Sequence, residues 1–268
     1  MYKKKTKQSP IKSLMATLAT TTCILALAVT ISPFLIKDAQ ADDAKETFIF
    51  AMDGQYPPFN TRQGDRIYGF DVDIGEAISR KMGMHPEPAV NPWQTLIAAL
   101  KADRFDAIIG SMAITEERQK EVSFSEPYYT SGAQVFVKKD DDRVSIESLK
   151  GKRIGVLVSS TFQKVAREMT QDVQTYPSDI TALNDLTVPG RLDAVITDQL
   201  VGEHAIQESG LLLRKLGKPL YVDKMGIVVN KGDDELLERI NTALEGIIAD
   251  GTYADISEKY FGRNILAP

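Results

Sequence analysis

Two side chains carry the clearest chemistry this sequence offers, Arg118 and Asp198. Arg118 closes the stretch Gly110-Ser-Met-Ala-Ile-Thr-Glu-Glu-Arg118, which follows an apolar, strand-like run from Phe105 to Ile109. The stretch ends in what reads as the first turn of a helix. Thr115 is the expected N-cap there, and Glu116 and Glu117 complement the helix dipole. An arginine in a first turn is electrostatically disfavoured, so some other demand should place it. A guanidinium beside free backbone N–H groups makes a carboxylate receptor. A surface arginine paired with Glu121 or Glu126 would fit the same segment. Asp198 enters through an internal echo: Arg104-Phe-Asp-Ala-Ile-Ile109 matches Arg191-Leu-Asp-Ala-Val-Ile196. Each run is followed by a polar group at a strand's C-terminal end, Ser111 in one and Asp198 in the other. Open α/β sheets bind ligands just beyond such ends. A cation from one half and an anion from the other would complement a zwitterion, its carboxylate on Arg118 and its ammonium on Asp198. Strands repeated for packing alone would give the same echo.

The elements that must position these groups follow from periodicity. Thr47 to Met52 reads as a buried strand running into Asp53-Gly-Gln-Tyr-Pro-Pro-Phe59, a turn-forming stretch whose two aromatics look exposed. Asn60 to Tyr68 predicts a hairpin. From Asp71 the spacing turns helical, with Ile74, Ala77, Ile78 and Met82 on one face and Gly83 ending it. A second helix starts near Trp93, with Leu96, Ile97 and Leu100 inward, and feeds the strand at Phe105. Gly132 to Val137 is extended, and βα alternation then resumes. It gives a strand from Arg153 to Val158 and a helix from Thr161 to Met169. A strand from Val173 to Tyr176, a helix from Ile180 to Leu186 and a strand from Leu192 to Ile196 follow, then a helix from Gln199 to Glu208. Lys224 to Asn230 is extended again. The cleanest amphipathic helix carries Leu236, Leu237, Ile240, Ala243, Leu244, Ile247 and Ile248 on one face, and a last helix runs from Tyr253 to Phe261. This rhythm predicts α/β architecture with parallel βαβ units.

The chain has 268 residues and a formal net charge of −5. Residues 1–41 read as a secretory signal: a lysine-rich start, an apolar stretch from about Leu14 to Ile36, and Ala39-Gln40-Ala41 as a small-x-small cleavage site. A retained membrane anchor is the rival reading of that stretch. Cleavage after Ala41 would remove six lysines and Asp38, deepening the charge to −10. An acidic secreted chain is a poor partner for nucleic acid or an anionic membrane. The single cysteine, Cys23, would leave with the signal, so neither disulfides nor thiolate metal ligands are expected in the mature chain.

With these residues placed, the chain resembles the periplasmic solute-binding proteins for polar amino acids that serve ABC importers. The resemblance spans about Phe48 to Gly262. It rests on Tyr56-Pro-Pro-Phe59, Gly69-Phe-Asp-Val-Asp-Ile74, Phe105-Asp-Ala-Ile-Ile109, Ile114-Thr-Glu-Glu-Arg118, Phe124-Ser-Glu-Pro-Tyr-Tyr129, and Gly251-Thr-Tyr253 before Tyr260-Phe-Gly262, in the family's order. It implies two α/β lobes, each a mainly parallel sheet flanked by helices, joined by a two-strand hinge. Residues 42–131 plus 226–268 would form lobe 1 and residues 135–222 lobe 2, with hinge crossings near 131–135 and 222–226. It also implies that Arg118 clamps the ligand carboxylate with backbone amides near Ala113 and Thr161. Asp198, with acceptors near Ser111, would take the ammonium. Tyr56 and Trp93 would hold the side chain between their faces, and Asp53 would reach its distal polar group. The implied ligand is an L-amino acid, polar or basic, such as arginine, lysine, histidine or glutamine. The implied partner is a membrane ABC permease, the protein acting as a monomer without a cofactor. Two departures bear on specificity. Ala113 stands where many relatives have Ser or Thr, and Ser159 where a glycine is common, with Phe162 in place of a polar contact.

Other classes have less support. There is no G-x-S-x-G elbow, phosphate loop or G-x-G-x-x-G after a strand. His85 and His204 stand apart from any metal-ligand spacing, so no metal is expected. A periplasmic cyclohexadienyl or arogenate dehydratase on the same fold is the alternative, with Asp53 or Glu116 as its general acid. A sensory module is a third reading, and it would have to dock on a separate membrane protein, since nothing after Pro268 transmits a signal.

Overall fold

The computed structural model describes residues 46–266. The expected signal segment and Cys23 lie outside the described residues. In chain order the elements begin with β1 (Thr47–Met52), β2 (Gln55–Tyr56), β3 (Asn60–Gln63), β4 (Arg66–Tyr68), α1 (Phe70–Lys81) and β5 (His85–Val90). A 3-10 turn at Trp93–Thr95 leads into α2 (Leu96–Leu100), then β6 (Ala107–Ala113), α3 (Glu116–Gln119) and β7 (Val122–Lys138). After a 3-10 turn at Ile146–Leu149 come β8 (Ile154–Leu157), α4 (Thr161–Met169), β9 (Val173–Tyr176), α5 (Asp179–Thr187), β10 (Ala194–Asp198) and α6 (Gln199–Gln207). The chain ends with β11 (Leu213–Asn230), α7 (Asp234–Ala249) and α8 (Thr252–Phe261).

Eight strands form one sheet in the order β5-β1-β6-β11-β7-β10-β8-β9, and β2-β3-β4 form a small second sheet. The outer triplets β5-β1-β6 and β10-β8-β9 are parallel, while β11 runs antiparallel to both β6 and β7. The expected α/β class with flanking helices is therefore present. The two long strands β7 and β11 run between the triplets, pairing Gly132 with Val222 and Ser131 with Asp223.

Several expectations shift. His85 to Val90, to which the sequence pattern assigns no element, forms β5 at the sheet edge against β1. Edge strands tolerate proline because one side of the ladder needs no partner, which accommodates Pro86 and Pro88. The strand expected to end at Ile109 continues to Ala113, so Gly110 and Ser111 lie within β6. The aromatics of Tyr56-Pro-Pro-Phe59 are buried rather than exposed, at 7% and 0%. Phe59 stacks on Tyr129 at 4.8 Å and meets Phe70 edge-on, so this turn is pinned by an aromatic cluster.

Local chemistry explains the well-formed helices. Ser160, Ser178 and Asp233 cap α4, α5 and α7 by accepting from Gln163, Thr181 and Leu236 backbone N–H groups. Gly69, before α1, has φ +134°, and a Cβ there would lie 2.3 Å from the Phe59 carbonyl oxygen. Only glycine fits that junction. On α6, a Cβ at Gly202 would come within 2.0 Å of the Phe136 ring, so α6 lies directly on β7 there.

Candidate functional site

β6 supplies the first wall. Ser111 adopts φ +56°, a left-handed conformation costly for a non-glycine residue. Its backbone N–H donates to the Tyr128 hydroxyl at 2.8 Å, and its Oγ donates to Asp71 at 2.9 Å. Tyr128 donates its own proton to Asp71 at 2.7 Å, and Asn60 Nδ2 donates to the same carboxylate at 2.7 Å. Asn60 Oδ1 in turn accepts from the Gly54 N–H at 2.9 Å, beside Asp53. Burial raises the Asp71 pKa to about 6, against the pull of its three donors. Asn60, Asp71 and Tyr128 thus fix both the Asp53 turn and Ser111.

Arg118 lies in α3, whose N-cap Thr115 accepts from the Arg118 N–H at 3.2 Å, as the sequence predicts. The bland alternative for its side chain is not met: Glu121 pairs with Lys101 at 2.9 Å. None of the ion pairs among the described residues involves Arg118. Its Nη1 donates to the Ala113 carbonyl at 2.8 Å, and its guanidinium lies 5.4 Å over the Trp93 ring. Burial lowers its pKa, and the nearby Asp223 and Glu117 oppose that. Arg118 is therefore a cation tethered by a carbonyl and a ring, with donors left for an anion.

A small cavity is lined by Asp53, Tyr56, Trp93, Ser111, Ala113, Arg118 and Thr161, together with Gly110, Leu157, Ser160, Phe162, Asp223 and Met225. Seven of the eight residues singled out from the sequence therefore share one cavity. Asp198, the eighth, is not in its lining. It sits at the end of β10, 1% exposed, where Oδ1 accepts from Ser131 Oγ at 2.8 Å and from the Leu200 N–H at 2.7 Å, capping α6. Its other oxygen, Oδ2, is buried without a hydrogen-bond partner among the described residues. Burial raises its pKa to about 7, and its charge reaches Tyr56, whose phenol is pushed well above its ordinary value by burial and then by Asp198.

Sequence reasoning missed Asp223. It accepts from Thr161 Oγ1 at 2.9 Å, joining β11 to the start of α4. Acidity within an extended run was the only signal, and nothing in spacing distinguished it. Ser159, at the common glycine position, has φ +58°, which accounts for that preference. It is exposed, and its carbonyl lies 3.5 Å from Arg118 Nη2. Phe162 is buried in the lining, making that wall apolar as the sequence suggested. Glu116 is exposed and absent from the cavity lining. Among the described residues no group of three or more His, Cys, Asp or Glu is arranged to hold a metal ion, and no helix is long and apolar enough to cross a membrane.

A half-buried guanidinium, aromatic walls and buried carboxylates around one cavity of an α/β sheet define a protein that binds a small charged solute. The chain belongs to the bacterial extracellular solute-binding proteins, family 3, whose model matches residues 48–263. It is 32% identical to the L-cystine-binding protein TcyJ of Escherichia coli over 82% of this chain and 84% of that one. It is 37% identical to the ABC transporter arginine-binding protein 1 of Escherichia coli, over 81% and 92% respectively. Among solved structures, an ancestral arginine-binding protein bound to arginine superposes with a TM-score of 0.75 at 37% identity, covering 82% of this chain and all of the other.

Proposed function

We propose that this protein captures an L-amino acid, polar or basic, outside the cytoplasm and delivers it to an ABC-type permease. The observation that carries the reading is Arg118, a tethered guanidinium with no ion pair among the described residues, in the same cavity as Tyr56 and Trp93. The ligand carboxylate would take its free donors together with the first amides of α4, which have no intrahelical partner. The ammonium would take the free oxygen of Asp198. The side chain would then lie between Tyr56 and Trp93 and end at Asp53.

In this reading residues 42–131 plus 226–268 and residues 135–222 act as two lobes. They close on the ligand about β7 and β11, near 131–135 and 222–226. Closure would be stabilised only by the ligand's greater affinity for the closed state. Residues 1–41 direct export, and the mature chain acts as a monomer that docks on its permease. Arginine- and cystine-binding proteins of transporters among the relatives support the ligand class. The test is thermal unfolding of protein that has been denatured and refolded to remove carried-over ligand, against a panel of amino acids. A ligand at about a hundred times its Kd adds roughly 2.7 kcal/mol and raises Tm. No shift with any α-amino acid would refute the reading.

A further inference from the structure

An acid stands at the Arg118 end of the cavity. Asp223, on β11, is half-buried and shares the lining with Arg118 and Thr161. Its Oδ2 accepts from Thr161 Oγ1 at 2.9 Å, at the first residue of α4. Arg118 reaches the same helix start from α3, its Nη2 donating to the Ser159 carbonyl at 3.5 Å. The two opposite charges are thus held two residues apart on one segment of chain, and both also line the groove formed by residues of α3 and α4. Even so, none of the ion pairs among the described residues joins them or involves Asp223 at all.

The hydrogen bond to Thr161 needs only a neutral acceptor, so it does not account for a charge. A site that receives an anion on a guanidinium and the unpartnered first amides of α4 gains nothing from a carboxylate beside them, because like charges repel. The empty cavity has the opposite need. Arg118 is half-buried, and a desolvated guanidinium without a counter-charge is costly. Asp223 supplies that charge while leaving the guanidinium donors open. Burial lowers the Arg118 pKa, and Asp223 is the foremost charge opposing it; burial raises the Asp223 pKa, and the Thr161 bond and Arg118 oppose that. Thr161 also commits its one hydroxyl proton to Asp223 and has none for a ligand oxygen.

We propose that Asp223 is an affinity-limiting residue, the protein's own carboxylate at the Arg118 end of the cavity, which serves the guanidinium as counter-charge while the cavity is empty and repels the carboxylate of a bound solute. This rests on the amino-acid reading above and deepens it. The repulsion acts on solutes with a free α-carboxylate, and an α-carboxamide escapes it.

The test is calorimetric titration of the refolded wild type and of Asp223→Asn with L-arginine, L-lysine, L-glutamine and L-cystine, and with the corresponding α-carboxamides. Asparagine keeps an acceptor for Thr161 and removes only the charge. Whichever of these amino acids the wild type binds, the variant should bind about tenfold tighter, the order expected when one of two like charges a few ångströms apart at a half-buried site is removed. Its carboxamide should bind no tighter than before. Asp223→Ser, which also lacks the charge, should shift the affinity in the same direction and serves if the first variant fails to fold. Unchanged or weaker amino-acid binding in the folded variant overturns the repulsion. An equal gain for amino acid and carboxamide overturns it too, since that gain would come from altered packing and not from charge. In both cases amino-acid binding itself stands. A wild type that binds none of the four and no other α-amino acid overturns the function together with this inference.

Discussion

Asp198→Asn should make the ligand-free protein more stable at pH 8, and the gain should vanish on acidification. Asp198 is buried at the end of β10, with a folded pKa of about 7 against 3.8 for the free side chain. Between these values the folded chain retains a proton that the unfolded chain has released. The stability associated with this group is therefore whole below about pH 4 and lost as pH rises through about 7. The displacement corresponds to a ceiling of about 4 kcal/mol at pH 8. Part of it is offset in the variant, because Ser131 and the α6 amides donate more strongly to a carboxylate than to an amide. A net gain of about 1–3 kcal/mol remains. For a chain of this size that is roughly 2–10 °C in Tm. Asparagine also caps α6, so the fold should be kept. Differential scanning calorimetry of both proteins from pH 4 to pH 8 reads the effect directly, as curves that meet at pH 4 and separate by pH 8. A variant no more stable than wild type at pH 8, or an advantage independent of pH, would refute the account of Asp198 as an uncompensated buried charge. The same variant should lose the ligand-induced rise in Tm, so stability and binding would move in opposite directions.

Arg118→Ala should leave the fold intact, since the side chain makes two carbonyl bonds, one of them long, and a ring contact, and should weaken ligand binding by about 2–4 kcal/mol; near-normal affinity in a titration would remove it from the carboxylate clamp. Trp93→Ala should weaken binding and change the rank order of ligands in the same titration, and it should also loosen Arg118. Gly202→Ala should destabilise the protein by about 1–3 kcal/mol in urea unfolding, because its methyl would meet the Phe136 ring at 2.0 Å. Unchanged stability there would mean that α6 can shift off β7 freely.

Much of this architecture is legible wherever one residue pattern answers to one local force. α4 runs over the predicted residues because Ser160 caps it and an apolar face follows. β9 and the boundaries of α6 follow similarly, to within a residue. β5 was illegible because its two prolines argue against a strand unless its position at the sheet edge is known, and that position is a tertiary fact. The first half of β11 hid for a related reason. Gly217 and Pro219 disfavour a continuous strand, whereas the structure absorbs them as an irregularity between Leu216 and Tyr221 in a continuing ladder. At the site, Arg118 announced itself by violating a helix rule. Asp71 was quoted as part of a motif, but its service to Ser111 and Asn60 depends on Tyr128, 57 residues further on.

The chain's last elements complete its first. The closing stretch of β11 pairs with β6 and the opening of β7, α7 and α8 pack on α1, and the Tyr253 hydroxyl donates to the Tyr128 carbonyl at 2.6 Å. A nascent chain lacking residues 225–261 has a β6 with one open edge and a Tyr128 whose carbonyl lacks its Tyr253 donor. Such distant pairings make folding slow, because loop closure comes before the contacts that reward it. For an exported polypeptide that delay is useful. If residues 1–41 direct export as proposed, the chain stays threadable until almost its whole length has been made, and its cavity forms only after the membrane has been crossed.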